Sequence, residues 1–204
     1  MENKTRVLFI GDSITDCGRN EDSESLGYGY VRMIHDYFVT SFPEKDLEVI
    51  NKGIGGNRVT DLQARWDEDV LELNPDYVSI SIGINDVWRQ LDNPDIEQVY
   101  PDQFEEILTG LLKKTNAQLI LMEPTVIEED VESEGNKKLI PYIEIVRELA
   151  KKYNAILVPT HEDFISYVKT GNPYKLTTDG VHMNSAGNTL MAKSWLKACK
   201  KIGW

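Results

Sequence analysis

The chain contains 204 residues, of which 41% are apolar and 27% are charged, and this is the composition of a folded globular protein. Its 34 acidic residues outnumber the 22 basic ones, so the net charge is −12 at pH 7. Because no cluster of Lys or Arg offsets this charge, nucleic acid and anionic membrane surfaces are excluded as default partners. The length suits one domain and no linker interrupts it, so we expect residues 1–204 to form a single domain.

Two features of the sequence bear on where the protein works. The N-terminal residues lead directly into an apolar segment, which leaves no room for a signal peptide, and no apolar run approaches the ~18 residues needed to cross a bilayer. The two cysteines, Cys17 and Cys199, are too few for a disulfide framework. We therefore expect a cytoplasmic protein that does not enter membranes.

In chain order, five short apolar segments predict β-strands at residues 6–10, 47–51, 76–82, 118–122 and 155–159. Such runs of Val, Ile and Leu are typical of strands buried on both faces of a parallel sheet. Between the strands, apolar residues recur at helical spacing, which predicts helices packed on the sheet. These residues are Val31, Ile34 and Phe38; Leu62, Trp66 and Val70; Phe104, Ile107, Leu108 and Leu111; Ile143, Val146 and Ala150; and Leu190, Trp195, Leu196 and Cys199 in a last helix that begins near Ser185. The alternation predicts an α/β fold with an α/β/α layer order.

Four polar or glycine-rich segments fall where such a sheet binds ligands, outside the carboxyl ends of its strands. Gly11-Asp12-Ser13 follows the first strand, residues 53–57 follow the second, and Gly83-Ile84-Asn85-Asp86 follows the third. Asp179-Gly180-Val181-His182 precedes the last helix. We expect these four segments to meet at one edge of the sheet.

Ser13, His182 and Asp179 have the residue types of a nucleophilic triad. Asp179 stands three residues before His182, so its carboxylate can hold Nδ1 of the ring while Nε2 faces a serine hydroxyl. Taken singly, Ser13 also suits a helix N-cap, and the other two suit a turn aspartate with an incidental histidine, or a metal pair. A metal site would need more ligands nearby, and the other histidines are His35 and His161, so we expect no metal.

An acyl-transfer site also needs donors for the oxyanion, and three are at hand. They are the backbone N–H groups of Ser13 and Gly56 and the side-chain amide of Asn85. The glycine loop could instead hold phosphate, but it lacks the lysine of a P-loop. Asn85 and Asp86 alone could equally form an Asx turn at a strand end.

In this order, the four segments resemble the four sequence blocks of the SGNH (GDSL-type) hydrolase superfamily. The resemblance implies a three-layer α/β/α sandwich with a flavodoxin-like, five-stranded parallel sheet. It also implies Ser13 as the nucleophile, His182 as the base and Asp179 as the acid that orients the base. Ser13, Gly56 and Asn85 would be the oxyanion donors.

Within the superfamily, the resemblance is greatest to the intracellular acetyl-xylooligosaccharide esterases. It is carried by residues 11–19, 51–57, 61–70 and 83–90, and it fades in the middle of the chain until Asp179. It implies a serine esterase that removes short acyl groups, acetyl in particular, from carbohydrate such as xylo-oligosaccharides through an acyl-enzyme. The enzyme would be a homo-oligomer and would need no cofactor.

Two other functions stay open. A lysophospholipase or thioesterase on the same fold would need an extended apolar channel for the acyl chain. A non-catalytic, carbohydrate-binding flavodoxin-like module would have no use for a histidine with its own aspartate. The ordinary α/β-hydrolase fold is disfavoured, because Thr15 stands where the second glycine of G-x-S-x-G would be.

Four residues are candidate substrate contacts: Asp12, Arg58, Trp88 and Arg89. An aromatic ring beside polar groups suits a sugar ring, although Trp88 could equally cap the core beside a solvated Arg89. We expect Arg58 to form an ion pair with Asp86 or Asp12.

Two further features have open roles at this stage. The acidic run at residues 128–134 is expected to be a solvated loop or, alternatively, a wall of the ligand site. Trp204 is an expected anchor of a subunit interface.

Overall fold

A parallel five-stranded sheet organises the protein, whose computed structural model describes residues 4–200. The strands are β1 (Thr5–Gly11), β2 (Leu47–Gly53), β3 (Tyr77–Ser81), β4 (Gln118–Met122) and β5 (Ile156–Val158). Their order is β2-β1-β3-β4-β5, and every neighbouring pair is parallel. The predicted α/β class and the flavodoxin-like sheet are therefore confirmed.

Helices cover the sheet in two groups. They are α1 (Ser13–Asp16), α2 (Tyr30–Ser41), α3 (Val59–Trp66), α4 (Ile84–Asp92), α5 (Pro101–Lys114), α6 (Glu134–Lys152), α7 (Thr160–Lys169) and α8 (Ser185–Cys199). One group consists of α2 and α7, both of which pack against α8. In the other, α5 contacts α3 and α6, and α4 contacts α6. None of the helices between residues 4 and 200 has the length and apolarity to cross a membrane.

The predicted apolar faces are the ones that face the core. All the residues predicted for the first four of these faces are buried, as are Trp195 and Cys199 of the last helix, whereas Leu190 and Leu196 are partly buried. The Trp195 ring contacts Phe9 on β1 and Phe38 on α2, with centroids 5.4 and 5.9 Å apart. Its indole N–H donates to Ser79 Oγ at 3.0 Å, so burial of this large side chain leaves no unpaired donor.

Two of the observed strands end earlier than predicted. β3 ends at Ser81 rather than at residue 82, and the chain then turns at Gly83, whose φ is 118°. β5 is only three residues long, because Pro159 lacks an N–H to continue the ladder and caps α7 instead. The helices α1, α4 and α7 were not predicted, and all three follow strands at the carboxyl edge of the sheet.

Two glycines allow the chain to pass closely beneath this edge. A Cβ atom on Gly11 would lie 2.3 Å from the carbonyl oxygen of Ser81, and one on Gly53 would lie 2.1 Å from the backbone nitrogen of Asp16. A side chain at either position would push α1 away from the ends of β1 and β2. The glycines thus fix the place of the short helix that begins with Ser13.

Candidate active site

Ser13 is the first residue of α1, immediately beyond the end of β1. Asp12 is the N-cap of this helix, since its Oδ1 accepts a hydrogen bond from the backbone N–H of Ile14 at 3.0 Å. Ser13 is therefore not the cap, and its own N–H belongs to the first turn, where no intrahelical acceptor exists. Asn51 at the end of β2 donates to the carbonyl oxygens of Thr15 and Leu26 at 2.7 and 2.8 Å, which holds α1 against the sheet.

The structure joins Ser13, His182 and Asp179 in one hydrogen-bonded chain. Ser13 Oγ lies 2.9 Å from His182 Nε2, and His182 Nδ1 lies 2.6 Å from Asp179 Oδ2. Because Nδ1 faces a carboxylate, it carries the ring proton in the neutral imidazole, and Nε2 is then the acceptor that faces the serine hydroxyl. This arrangement can take a proton from the serine.

Asp179 also holds its own turn. Its Oδ1 accepts from the backbone N–H groups of His182 and Val181 at 2.8 and 3.0 Å. Partial burial works to raise the pKa of Asp179, but the hydrogen bonds from the His182 ring and from these two N–H groups outweigh it and lower the pKa. The carboxylate is therefore ionised beside the ring at neutral pH.

Gly56 and Asn85 lie at the same edge of the sheet and are linked through Asn57. Asn85 is 2% exposed, and its Nδ2 donates to the carbonyl oxygen of Asn57 at 3.1 Å. One hydrogen of the amide is thereby used and the second remains for another acceptor. The loop runs beside the serine, because a Cβ on Gly55 would lie 3.9 Å from Ser13 Cβ. Gly56 has φ of 78°, a conformation that favours glycine.

Two buried carboxyl groups lie beneath the triad. Asp12 is 2% exposed and Asp86 is fully buried. Burial raises the pKa of Asp12 to about 7 and that of Asp86 to about 7, against the lowering effect of their backbone hydrogen bonds. Both oxygens of Asp86 face the N–H of Val59, at 3.1 and 3.3 Å, so this residue ties α4 to the start of α3. This structural role of Asp86 was not predicted from the sequence.

Arg58 does not form the expected ion pair. Its Nη1 donates instead to the carbonyl oxygen of Glu97 at 2.6 Å, and within residues 4–200 it pairs with neither Asp86 nor Asp12. The reason is that Asp86 is enclosed and already bound to the N–H of Val59, whereas the long side chain of Arg58 turns outward. The positive charge of Arg58 is still close enough to offset a small part of the rise in the pKa of Asp86 that burial causes.

Trp88 lies beside the histidine, and Arg89 lies beside Trp88. The ring of Trp88 packs partly against the core, and its centroid is 5.7 Å from that of the His182 ring, with the planes tilted by 59°. The guanidinium carbon of Arg89 is 5.7 Å from the Trp88 ring, and its Nη1 is 2.5 Å from Asp92 Oδ2. Trp88 thus combines contact with the core and contact with the triad.

Three further expectations concern a metal site, the acidic run at residues 128–134 and Trp204. No group of three or more His, Cys, Asp or Glu side chains in the described part of the chain could hold a metal ion. The acidic run is a loop up to Ser133, the N-cap of α6, and it contacts the segment before Asp179, a contact that the sequence analysis missed. Trp204 lies outside the described residues.

Comparisons with known proteins agree with this geometry. Residues 9–190 match the GDSL-like lipase/acylhydrolase family. An acetylxylan esterase from Geobacillus stearothermophilus is 41% identical over 202 residues, which cover 94% of this chain and 92% of the relative. The crystal structure of Axe2, an acetylxylan esterase from that organism, has a TM-score of 0.90 at 40% identity and covers 98% of this chain and 94% of its own. The crystal structure of LAE5, an alpha/beta hydrolase enzyme from the metagenome of Lake Arreo in Spain, has a TM-score of 0.92 at 34% identity. It covers 100% of this chain and 99% of its own.

Axe2 has also been solved as variants described as catalytic mutants. In these, alanine replaces a serine, an aspartate or a histidine, and the aspartate stands three positions before the histidine. The family match spans most of the chain, and the sheet order and the four segments at its edge are those that the resemblance implies. The chain therefore belongs to the GDSL-like lipase/acylhydrolase family, the GDSL branch of the SGNH hydrolases.

Proposed function

We propose that the protein is a serine esterase that removes acetyl groups from acetylated xylo-oligosaccharides through an acyl-enzyme. The observation that carries the proposal is the hydrogen-bonded chain from Ser13 Oγ through His182 to Asp179. The substrate class is supported by the acetylxylan esterases at 40–41% identity. The aspartate and histidine of the catalytic Axe2 variants have the same spacing as Asp179 and His182.

Acylation begins when His182 Nε2 accepts the proton of Ser13 and Oγ attacks the ester carbonyl carbon. The carbonyl oxygen becomes an oxyanion, which the N–H groups of Ser13 and Gly56 and the free amide hydrogen of Asn85 stabilise. Asp179 stabilises the imidazolium that forms. The C–O bond to the sugar then breaks, His182 gives its proton to the departing sugar oxygen, and Ser13 is left acetylated.

Deacylation repeats these steps with water as the nucleophile. His182 takes a proton from water as the water oxygen attacks the acetyl carbonyl, and the same three donors stabilise the second oxyanion. When the bond to Ser13 Oγ breaks, the proton returns to Oγ and acetate leaves. The cycle needs only ester and water, so we propose that no cofactor or metal takes part.

The four candidate substrate contacts divide into two groups. Asp12 is buried and caps α1, so we assign it to the position of Ser13 rather than to the substrate. Trp88 adjoins the histidine and can stack on the apolar face of a sugar ring, and Arg89 and the half-buried Arg58 can donate to its hydroxyls. These three would line the side from which the sugar approaches.

The wider setting of the enzyme follows from the same family. We propose that residues 1–204 form one hydrolase domain, since one sheet carries every segment of the site. We also propose that the protein works in the cytoplasm as a homo-oligomer, as its resemblance to intracellular esterases implies.

The test is acetate release from acetylated xylo-oligosaccharides by the purified protein. Wild type should release acetate and the Ser13→Ala variant, which keeps the fold but lacks the nucleophile, should not. Equal release by both proteins, or none by wild type, would refute the proposed activity. Turnover of long-chain lipid esters alone would instead indicate the lysophospholipase alternative.

A further inference from the structure

Glu129, in the acidic run, contacts the segment that leads to the triad residues Asp179 and His182. Its Oε1 accepts hydrogen bonds from the backbone N–H groups of Leu176 and Thr177, both at 2.9 Å, and from Thr177 Oγ1 at 2.6 Å. Three donors on one carboxylate oxygen make charge-assisted bonds, which are stronger than neutral ones. One side chain thus holds two consecutive residues in place.

The neighbouring residue, Glu128, binds the turn of the same segment at Gly180. The backbone N–H of Glu128 donates to the carbonyl oxygen of Gly180 at 2.8 Å. The backbones pass closely, because a Cβ on Gly180 would lie 3.5 Å from Glu128 Cα. The segment is therefore held both before Asp179 and directly after it.

The residues that Glu129 holds are paired with the two residues that follow the histidine. Thr177 forms an antiparallel bridge with Met183, and the N–H of Thr178 donates to the carbonyl oxygen of His182 at 2.8 Å. The N–H of Asn184 donates to the carbonyl oxygen of Leu176 at 2.9 Å. Residues 176–184 are thus a hairpin whose first limb is fixed by Glu129 and whose second limb carries His182.

The acidic loop is itself a firm support, because Asn136 of α6 fixes its backbone. Asn136 Oδ1 accepts from the N–H of Ile127 at 2.9 Å, and its Nδ2 donates to the carbonyl oxygens of Glu128 and Asp130 at 3.0 and 2.7 Å. Asn136 is 2% exposed, so these bonds are protected from water. Through Glu129, the hairpin is linked to a long helix.

Packing alone does little to hold the triad residues of this hairpin. The side chain of His182 is 38% exposed and that of Asp179 is 47% exposed. Hydrogen bonds to the hairpin backbone therefore act together with the Trp88 ring contact in restraining the distance between His182 and Ser13. We propose that Glu129 is a positioning residue that keeps this distance at the value required for proton transfer; this inference rests on the proposed function.

The test compares Glu129→Ala, Glu129→Gln and the control Glu132→Ala by kcat and KM on an acetyl ester. Glu132 is in the same run, but its side chain is 78% exposed, and within residues 4–200 its carboxylate pairs only with Lys137, at 3.1 Å. Because displacement of a catalytic group by 1 Å can cost about 100-fold, we expect Glu129→Ala to lower kcat by about 10- to 100-fold with KM little changed. Glu129→Gln keeps an acceptor oxygen and should recover most of the activity, and Glu132→Ala should match wild type.

A spectroscopic measurement separates positioning from a general effect on stability. The proton between His182 Nδ1 and Asp179 should give a low-field NMR resonance in wild type, Glu129→Gln and Glu132→Ala, and this resonance should be broadened or lost in Glu129→Ala. If Glu129→Ala does not fold, the kcat values and resonances of Glu129→Gln and Thr177→Val test the positioning role instead. Thr177→Val removes one of the three donors and should lower kcat severalfold, with the resonance weakened.

Several results would overturn the proposal. One is Glu129→Ala with wild-type kcat and an unchanged resonance, whatever its thermal stability. Another is a Glu129→Ala variant that shifts the pH midpoint of kcat/KM without lowering the plateau, because this would indicate a through-space effect of charge. If wild type hydrolyses no ester, the proposed function fails, while the resonance in the variants still tests the positioning role.

Discussion

Replacement of Asn85 by alanine tests the oxyanion role most directly. The substitution removes one of three proposed donors, the amide hydrogen that is not bonded to Asn57. Such a donor typically contributes about 2.7–4 kcal/mol to the transition state. At about 1.36 kcal/mol per factor of ten, kcat should fall by about 100- to 900-fold. KM should change little, because the oxygen carries full charge only in the transition state.

The same substitution has a smaller, separable effect on stability. It leaves the carbonyl oxygen of Asn57 without its donor, which costs about 1 kcal/mol and corresponds to a fall in Tm of about 2–4 °C. The assay is steady-state kinetics on a chromogenic acetyl ester, with the active enzyme counted by titration. Asn93→Ala at the other end of α4 is the control, because the bonds of Asn93 are made by its backbone. A rise in KM alone, or a fall in kcat below fivefold, would refute the oxyanion role.

Three further predictions concern the nucleophile, the acyl group and the buried acids. A fluorophosphonate should label Ser13 alone in wild type, as read by mass spectrometry, and label nothing in Ser13→Ala; labelling elsewhere contradicts the triad. Across acetyl, butyryl and octanoyl esters of one alcohol, kcat/KM should be highest for acetyl, because the loop between β3 and α4 is only residues 82–83 and adds no apolar wall for a longer acyl chain; a rise towards octanoyl contradicts this. Burial raises the pKa of Asp86 from 3.8 to about 7, so the folded protein holds a proton on this group that the unfolded chain releases, and the contribution of Asp86 to stability falls as pH rises from 4 to 7. Asp86→Asn should therefore gain in Tm relative to wild type over this range, and a constant difference would contradict the reasoning.

The sheet and its helical faces could be predicted because both depend on local patterns. The strand at 118–122 is found with the predicted ends, since an apolar run shows its own length. In α4, by contrast, Ile84 and Val87 have helical spacing, but this segment was interpreted only as a site motif. The helix α7 was missed because two of its three buried residues, Thr160 and His161, are not apolar.

Some contacts of the candidate site could likewise be predicted from the sequence, and others could not. The contact between Asp179 and His182 follows from a spacing of three residues, whereas the contact of His182 with Ser13 required the rule for ligand sites in parallel sheets. No local pattern distinguishes Glu129 from the other acids of its run, because its partners are 47 and 48 positions away. The partner of Arg58 was predicted wrongly because spacing does not determine the direction of a long side chain.

The distance of 169 positions between Ser13 and His182 has a consequence for the time at which activity arises during synthesis. At about 5–20 residues per second, a ribosome needs roughly 10–30 s to add the residues between them. A nascent chain that has already formed β1 to β4 holds the proposed nucleophile without its base, and it cannot transfer acyl groups. Ester hydrolysis in a translation reaction would therefore report completion of the hairpin before α8, and every shorter fragment would be silent.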